Sequence, residues 1–148
     1  MSVYPPVWVP LVKTGYYPHM AKLDAALWER FIDLYGANFS LVAYDVAFGG
    51  FVPDADLGPE AQRLGYQYST AMKVDAIAQR PDEVWIIEVK PSGASSALGA
   101  ALTYTLLAER DSFSPFPLVP VVVTDTMHPD AKYAAELLNV VIVEVGIP

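Results

Sequence analysis

Three side chains within residues 72–91, MKVDAIAQRPDEVWIIEVKP, have types and spacing suited to chemistry: Asp75, Glu88 and Lys90. Lys73 to Ala78 alternates polar and apolar residues, and so does Val84 to Lys90. That two-residue period predicts two strands, with Trp85, Ile87 and Val89 on one face of the second and Ile86, Glu88 and Lys90 on the other. Arg80-Pro81-Asp82-Glu83 between them is turn chemistry, since proline presets its own dihedral and aspartate bonds its own backbone. The hairpin brings Asp75 within reach of Glu88 and Lys90 if Asp75 faces their side. Two carboxylates and an amine gathered on a sheet face cost free energy unless a metal or substrate uses them.

Asp75 and Glu88 offer hard oxygens suited to Mg²⁺ or Mn²⁺, and the backbone carbonyl of Val89 is a third. A cation held there would lower the pKa of a bound water and offset charge on a phosphate, with Lys90 placed to orient that water. The alternative is a wet sheet face with ordinary cross-strand ion pairs. Glu-x-Lys alone is a short motif. The acid on the preceding strand and the surrounding order of elements add to it.

Those elements are read from periodicity. Residues 1–18 form an arm in which Pro5, Pro6, Pro10 and Pro18 block regular structure while Trp8, Leu11, Tyr16 and Tyr17 supply apolar surface. The arm either lies on its own domain or docks on another subunit. Residues 19–148 form one domain. A helix over 19–35 carries Leu23, Leu27, Phe31 and Leu34 as its apolar stripe, with Glu29 and Asp33 roughly opposite and Gly36 as its stop. Residues 39–48 are the first strand. Residues 49–69 read as a long loop with a helical turn near 58–64, and its Asp54 and Asp56 are at most a weak metal pair. After the hairpin, a serine-capped helix over 97–110 shows a small-residue side, Ala97, Ala100, Ala101 and Ala108, suited to close approach to a sheet. A buried strand follows over 118–124, its regular part starting after Pro120, then a helix over 131–138 and a strand over 140–145. The class is α/β: a mixed β-sheet with helices on both faces, in the order αβββαβαβ.

Composition bounds the function. The chain has 148 residues, enough for one domain with a real core. Hydrophobic content is 53% and mean hydropathy +0.30, yet no apolar run approaches the roughly 20 residues of a membrane helix, so no membrane partner is expected. There is no cysteine, which excludes disulfides, thiolate metal sites and cysteine nucleophiles. The N-terminus lacks a basic start followed by an apolar run, which points to a cytoplasmic protein. Nine Lys and Arg stand against seventeen Asp and Glu, a net charge of −8. Nucleic-acid binding would therefore need a local cluster, metal ions or a partner. No strand leads into a glycine-rich phosphate loop, and neither His19 nor His128 adjoins a nucleophile motif, so nucleotide-fold and serine-hydrolase readings are weak.

The stretch around Asp75, Glu88 and Lys90 resembles the PD-(D/E)XK nuclease superfamily. The resemblance covers roughly residues 21–124 and implies a restriction-endonuclease-like three-layer sandwich: a helix, a three-strand meander, a helix and a further strand. It implies Asp75 and Glu88 as metal ligands together with the Val89 carbonyl, Lys90 as the residue assisting water, Mg²⁺ or Mn²⁺ as cofactor and DNA as substrate. Some members add a glutamate from the first helix, for which Glu29 is the candidate. Val74 replaces the motif's proline. Several nucleolytic subfamilies carry glutamine and tyrosine on the next helix; Tyr104 would be the tyrosine, but Ala100 stands in the glutamine's place. The scaffold is also similar to small phage-encoded proteins in which a nuclease-like domain serves in the particle's head or neck. The rival function is accordingly a structural or adaptor subunit, in a virion if phage-encoded, assembling with a protein partner or as a homo-oligomer through the N-terminal arm.

Overall fold

A computed structural model describes residues 5–53 and 58–147. Asp54 and Asp56 lie outside them, as do the first four residues of the arm. Among the described residues, six strands form one sheet in the spatial order of the chain. They are β1 (Val9–Pro10), β2 (Leu41–Phe48), β3 (Met72–Gln79), β4 (Val84–Val89), β5 (Leu118–Thr124) and β6 (Val141–Glu144). The first three contacts are antiparallel, and β4–β5 and β5–β6 are parallel. Four helices accompany them: α1 (Lys22–Tyr35), α2 (Glu60–Thr70), α3 (Ser95–Arg110) and α4 (Pro129–Leu137). No helix among the described residues is long and apolar enough to cross a membrane.

The α/β class and mixed sheet are as the periodicity predicts. Leu27, Trp28 and Phe31 of α1 pack on Val42, Ala76, Ala78, Ile87, Val89 and Val121, which is one face of the sheet. On the other face α3 lies over Ile77, Val84 and Ile86, and α4 joins it over Val122. Small residues of α3, Ala97, Ala101 and Ala108, make that approach, and all three are buried. The helix begins two residues earlier than expected, and its N-cap is Ala94, with no side-chain cap.

Three local expectations change. Residues 60–70 are a full helix rather than a turn inside a loop; α2 is polar on average and buries none of its residues, which is why its sequence reads as loop. The stripe of α1 is rotated: Leu23 and Leu34 are exposed at 51% and 57%, while Trp28 is fully buried. Strand β5 runs through Pro120, which aligns with Ile86 of β4. Val84 N–H donates to the Pro117 carbonyl and Lys90 N–H to the Val123 carbonyl, so odd-numbered residues of β5 bond β4. Pro120 thus turns its missing donor toward β6, whose pairing starts only at Val121.

The arm lies on its own domain in its described part. Val9 and Pro10 pair with the edge of β2, Leu11 and Tyr17 are buried in the α1-side core, and Trp8 packs on Phe113 with ring centroids 6.2 Å apart. Of the arm's described aromatic residues, Trp8 and Tyr17 are packed within the chain and Tyr16 stays exposed.

Candidate active site

The β3–β4 ladder runs from Gln79–Val84 to Ala76–Ile87. One step further Asp75 would face Glu88, and there the backbone pairing ends. The Asp75 carboxylate takes over: its Oδ2 accepts the Val89 N–H at 2.8 Å. The carboxyl groups of Asp75 and Glu88 lie close enough to shift each other's ionisation. Lys90 gives its own N–H to Val123 of β5. The N–H and C=O of one strand residue point to the same side. The carbonyl of Val89 therefore opens toward Asp75, as its N–H does. Lys90 itself is exposed at the end of the strand.

Beside this end of the ladder, the other neighbour of β3 is kinked. Asp45, in the middle of β2, has φ +52°, a left-handed conformation uncommon for any residue but glycine. The β2–β3 register steps over it, from Tyr44–Ala76 to Val46–Val74, leaving Asp45 opposite Asp75. Before the kink, Val42 and Tyr44 pack with α1, and Ala43 faces the other way. After it, Val46 and Phe48 join the cluster of Ala43. The alternation of faces is reversed at one residue, and the ends of β2 and β3 continue as a two-stranded tongue that carries α2. Asp45 is held in this position by Tyr68 of α2, whose hydroxyl donates to Oδ2, and by His19, whose Nε2 lies 3.2 Å from the same oxygen.

The pair is electrostatically loaded. Burial lifts the Asp75 carboxyl above the usual range, against the Val89 N–H and the Glu88 side chain; the charges of Asp24 and Asp45 lift it further. Glu88 is pushed up to about 8, first by burial, then by the charge of Asp75 beside it, with Lys90 pulling the other way. Burial and mutual repulsion thus work against both carboxyls being ionised together. Tyr104 faces the pair from α3: its hydroxyl is pushed up to about 12 by burial and then by the charges of Glu88 and Asp75. Ala100, one turn earlier, contributes no polar group.

Of the residues singled out in the sequence, the structure brings together Asp75, Glu88, the Val89 backbone and Tyr104, with Lys90 at the rim. It does not bring Glu29. That side chain lies by Lys13, whose ammonium pairs with Asp33 at 2.9 Å and also feels the charge of Glu29. The carboxylate that α1 turns toward the pair is Asp24. With Leu27, Trp28 and Phe31 buried, positions three, four and seven residues earlier fall on Asp24, at the N-terminal end of the same stripe. The sequence reading also missed Asp45, Tyr68 and His19. The available signal was Asp45 itself, the one charged residue in the strand LVAYDVAF.

Among the described residues, no three Asp, Glu or His side chains converge closely enough to hold a metal ion by themselves. A cation at Asp75 and Glu88 would need the Val89 carbonyl and water, a donor set that suits Mg²⁺.

No family model matches this chain, and no curated protein does. Among solved structures, the chain is similar to the crystal structure of a protein of unknown function, AF1548, with a TM-score of 0.51 and 19% sequence identity. The likeness covers 78% of this chain and 54% of that one, so this chain spans about half of its length. At this identity the likeness is one of fold.

Proposed function

We propose that this chain is a metal-dependent nuclease that hydrolyses DNA phosphodiester bonds at the Asp75–Glu88 pair. The observation that carries the reading is the pairing of two half-buried carboxyls, Asp75 and Glu88, beside the Val89 backbone at the frayed end of the β3–β4 ladder. Two half-buried carboxylates held this close repel unless a proton or a cation lies between them. Hard divalent cations take one or two carboxylates, a carbonyl and waters, so Asp75, Glu88 and the Val89 carbonyl would hold Mg²⁺ or Mn²⁺ in place of a proton. When bound, such an ion supplies a water of lowered pKa and positive charge against the phosphate. Lys90, one residue past Val89, orients the attacking water and carries positive charge toward the scissile phosphate. The resemblance to PD-(D/E)XK nucleases supports the same assignment. What supports it is an α/β fold in which a helix, antiparallel strands β2, β3 and β4, a second helix and a parallel strand β5 recur, with α2 interrupting them between β2 and β3. On this reading β1, α2, α4 and β6 are additions to a restriction-endonuclease-like core.

The test is cleavage of supercoiled and linear DNA with Mg²⁺ or Mn²⁺ and with chelator, comparing wild type with Lys90→Ala. Cleavage should require the metal and fall by at least about a hundredfold in the variant, the scale expected on losing a charge-stabilising group. The exposed position of Lys90 leaves the melting temperature nearly unchanged. A folded wild type that cuts no DNA under either metal would sink the nuclease reading.

A further inference from the structure

Lys90 places positive charge on the β4 side of the Asp75–Glu88 pair. On the β2 side stand Asp45 and the groups it holds. We infer that His19, held by Asp45, is a second phosphate-contacting group of the site, gripping the DNA backbone on the side opposite Lys90. The inference rests on the nuclease reading and adds to it a specific contact.

Geometry carries it. Asp45 stands opposite Asp75 in the β2–β3 register, and neighbouring strands lie about 5 Å apart. The Asp45 carboxylate is largely covered, with 15% of its side chain exposed, whereas the imidazole of His19 is 67% exposed. Nε2 of His19 lies 3.2 Å from the Asp45 carboxylate, which leaves Nδ1 as the ring nitrogen for a phosphate, contacted as an N–H donor by the imidazolium form. Two separate backbone distortions build this contact: Asp45 at φ +52° and His19 at φ +59° both occupy the left-handed region. Such conformations persist where surrounding contacts hold them. The hydroxyl of Tyr68 anchors Asp45 from α2. The ammonium of Lys73 lies 4.6 Å from the centre of the Tyr68 ring and bonds the Ala71 carbonyl at 3.3 Å. One imidazole on Asp45, and one ammonium over the Tyr68 ring that anchors Asp45, thus stand on the β2 side of the acidic residues Asp24, Asp45, Asp75 and Glu88. An anionic backbone entering the site meets least repulsion between this side and Lys90.

The experiment measures equilibrium binding of a fluorescently labelled DNA duplex by anisotropy, with Ca²⁺ as the divalent ion, across a salt series. Wild type is compared with His19→Asn, His19→Arg and Asp45→Asn. Asparagine tolerates the left-handed backbone, so His19→Asn removes the imidazole without adding strain. It should weaken binding about tenfold, the scale of one charge-assisted hydrogen bond. The slope of log K against log salt should shrink by about one. His19→Arg should restore both, which a purely structural role would not predict. Asp45→Asn should weaken binding by releasing the ring. If His19→Asn binds as wild type does, with the same slope, while wild type cuts DNA with Mg²⁺, the inference falls and the nuclease reading stands. If wild type neither binds the duplex nor cuts it, both fall together.

Discussion

Glu88 is the residue whose ionisation couples the site to the stability of the fold. Its carboxyl is held at about 8 against an ordinary value of 4.5. The folded state therefore favours the protonated form. That contribution is fully present below the ordinary value and is lost as pH rises through about 8, so the metal-free protein should become less stable across this window. Glu88→Gln keeps a neutral hydrogen-bonding group at all pH values. Its melting temperature should decline less with pH and exceed that of wild type by a few degrees near the upper end. Adding Mg²⁺ at that end should raise the wild type and leave the variant less affected. Superimposable melting profiles of the two proteins would refute the coupling. Glu88 and Lys90 were legible because the two-residue period of β4 fixes their face from sequence alone, whereas the face of Asp75 stayed open because the alternation of β3 breaks beside the kink at Asp45. Asp24 was not legible, because a helix presents many candidate stripes and the choice between Leu23–Leu34 and Leu27–Trp28–Phe31 is made by what the sheet offers to pack against.

At the scale of elements, the β2–β3 tongue with α2 is the part of the fold held most weakly. Helix α2 buries no residue and is tied down by polar contacts: the Phe51 N–H to Thr70 Oγ1 at 2.7 Å, Gln67 Nε2 to the Gly49 carbonyl at 3.0 Å, and the Tyr68 hydroxyl to Asp45. Gly50 makes that docking possible. Its φ is +87°, and a Cβ there would overlap the Gln67 carbonyl oxygen and crowd Ala71 N at 3.1 Å. Gly50→Ala should therefore cost roughly 1–3 kcal/mol locally. Amide hydrogen exchange in residues 60–70 should accelerate about tenfold or more, while the core strands and α1 keep their protection. An unchanged exchange rate in α2 would mean that its position does not depend on this contact. The same weakness explains why α2 and the kink were hidden in the sequence. Helix α2 is polar on average and so reads as loop, and the kink at Asp45 is held by Tyr68 and His19, contacts that lie far off in sequence. The arm was ambiguous for a related reason: Leu11 and Tyr17 read as sticky surface until the core that receives them is known.

For the molecule as a whole, charge sets the terms of any encounter with DNA. A net charge of −8 repels the duplex at long range, and the described cations near the site are few: Lys90, Lys73 and His19 when protonated. The layered fold was legible from the order and period of its elements, but this distribution was not, because charges scattered over 148 residues meet only in three dimensions. The consequence is quantitative. Each phosphate neutralised contributes about −0.9 to the slope of log K against log salt, so two or three contacts predict a slope of about −2 to −3 rather than the roughly −10 of a strongly basic DNA-binding protein. The divalent ion should also be indispensable. Ionised carboxylates of Asp75 and Glu88 repel a phosphate, and only a cation between them reverses that sign. Anisotropy of a labelled duplex should thus show binding with Ca²⁺ and none with chelator, and the Ca²⁺-supported binding should decline gently with added salt. Binding that persists in chelator with a steep slope would place the DNA on a basic surface away from the pair and separate the interface from the site argued here.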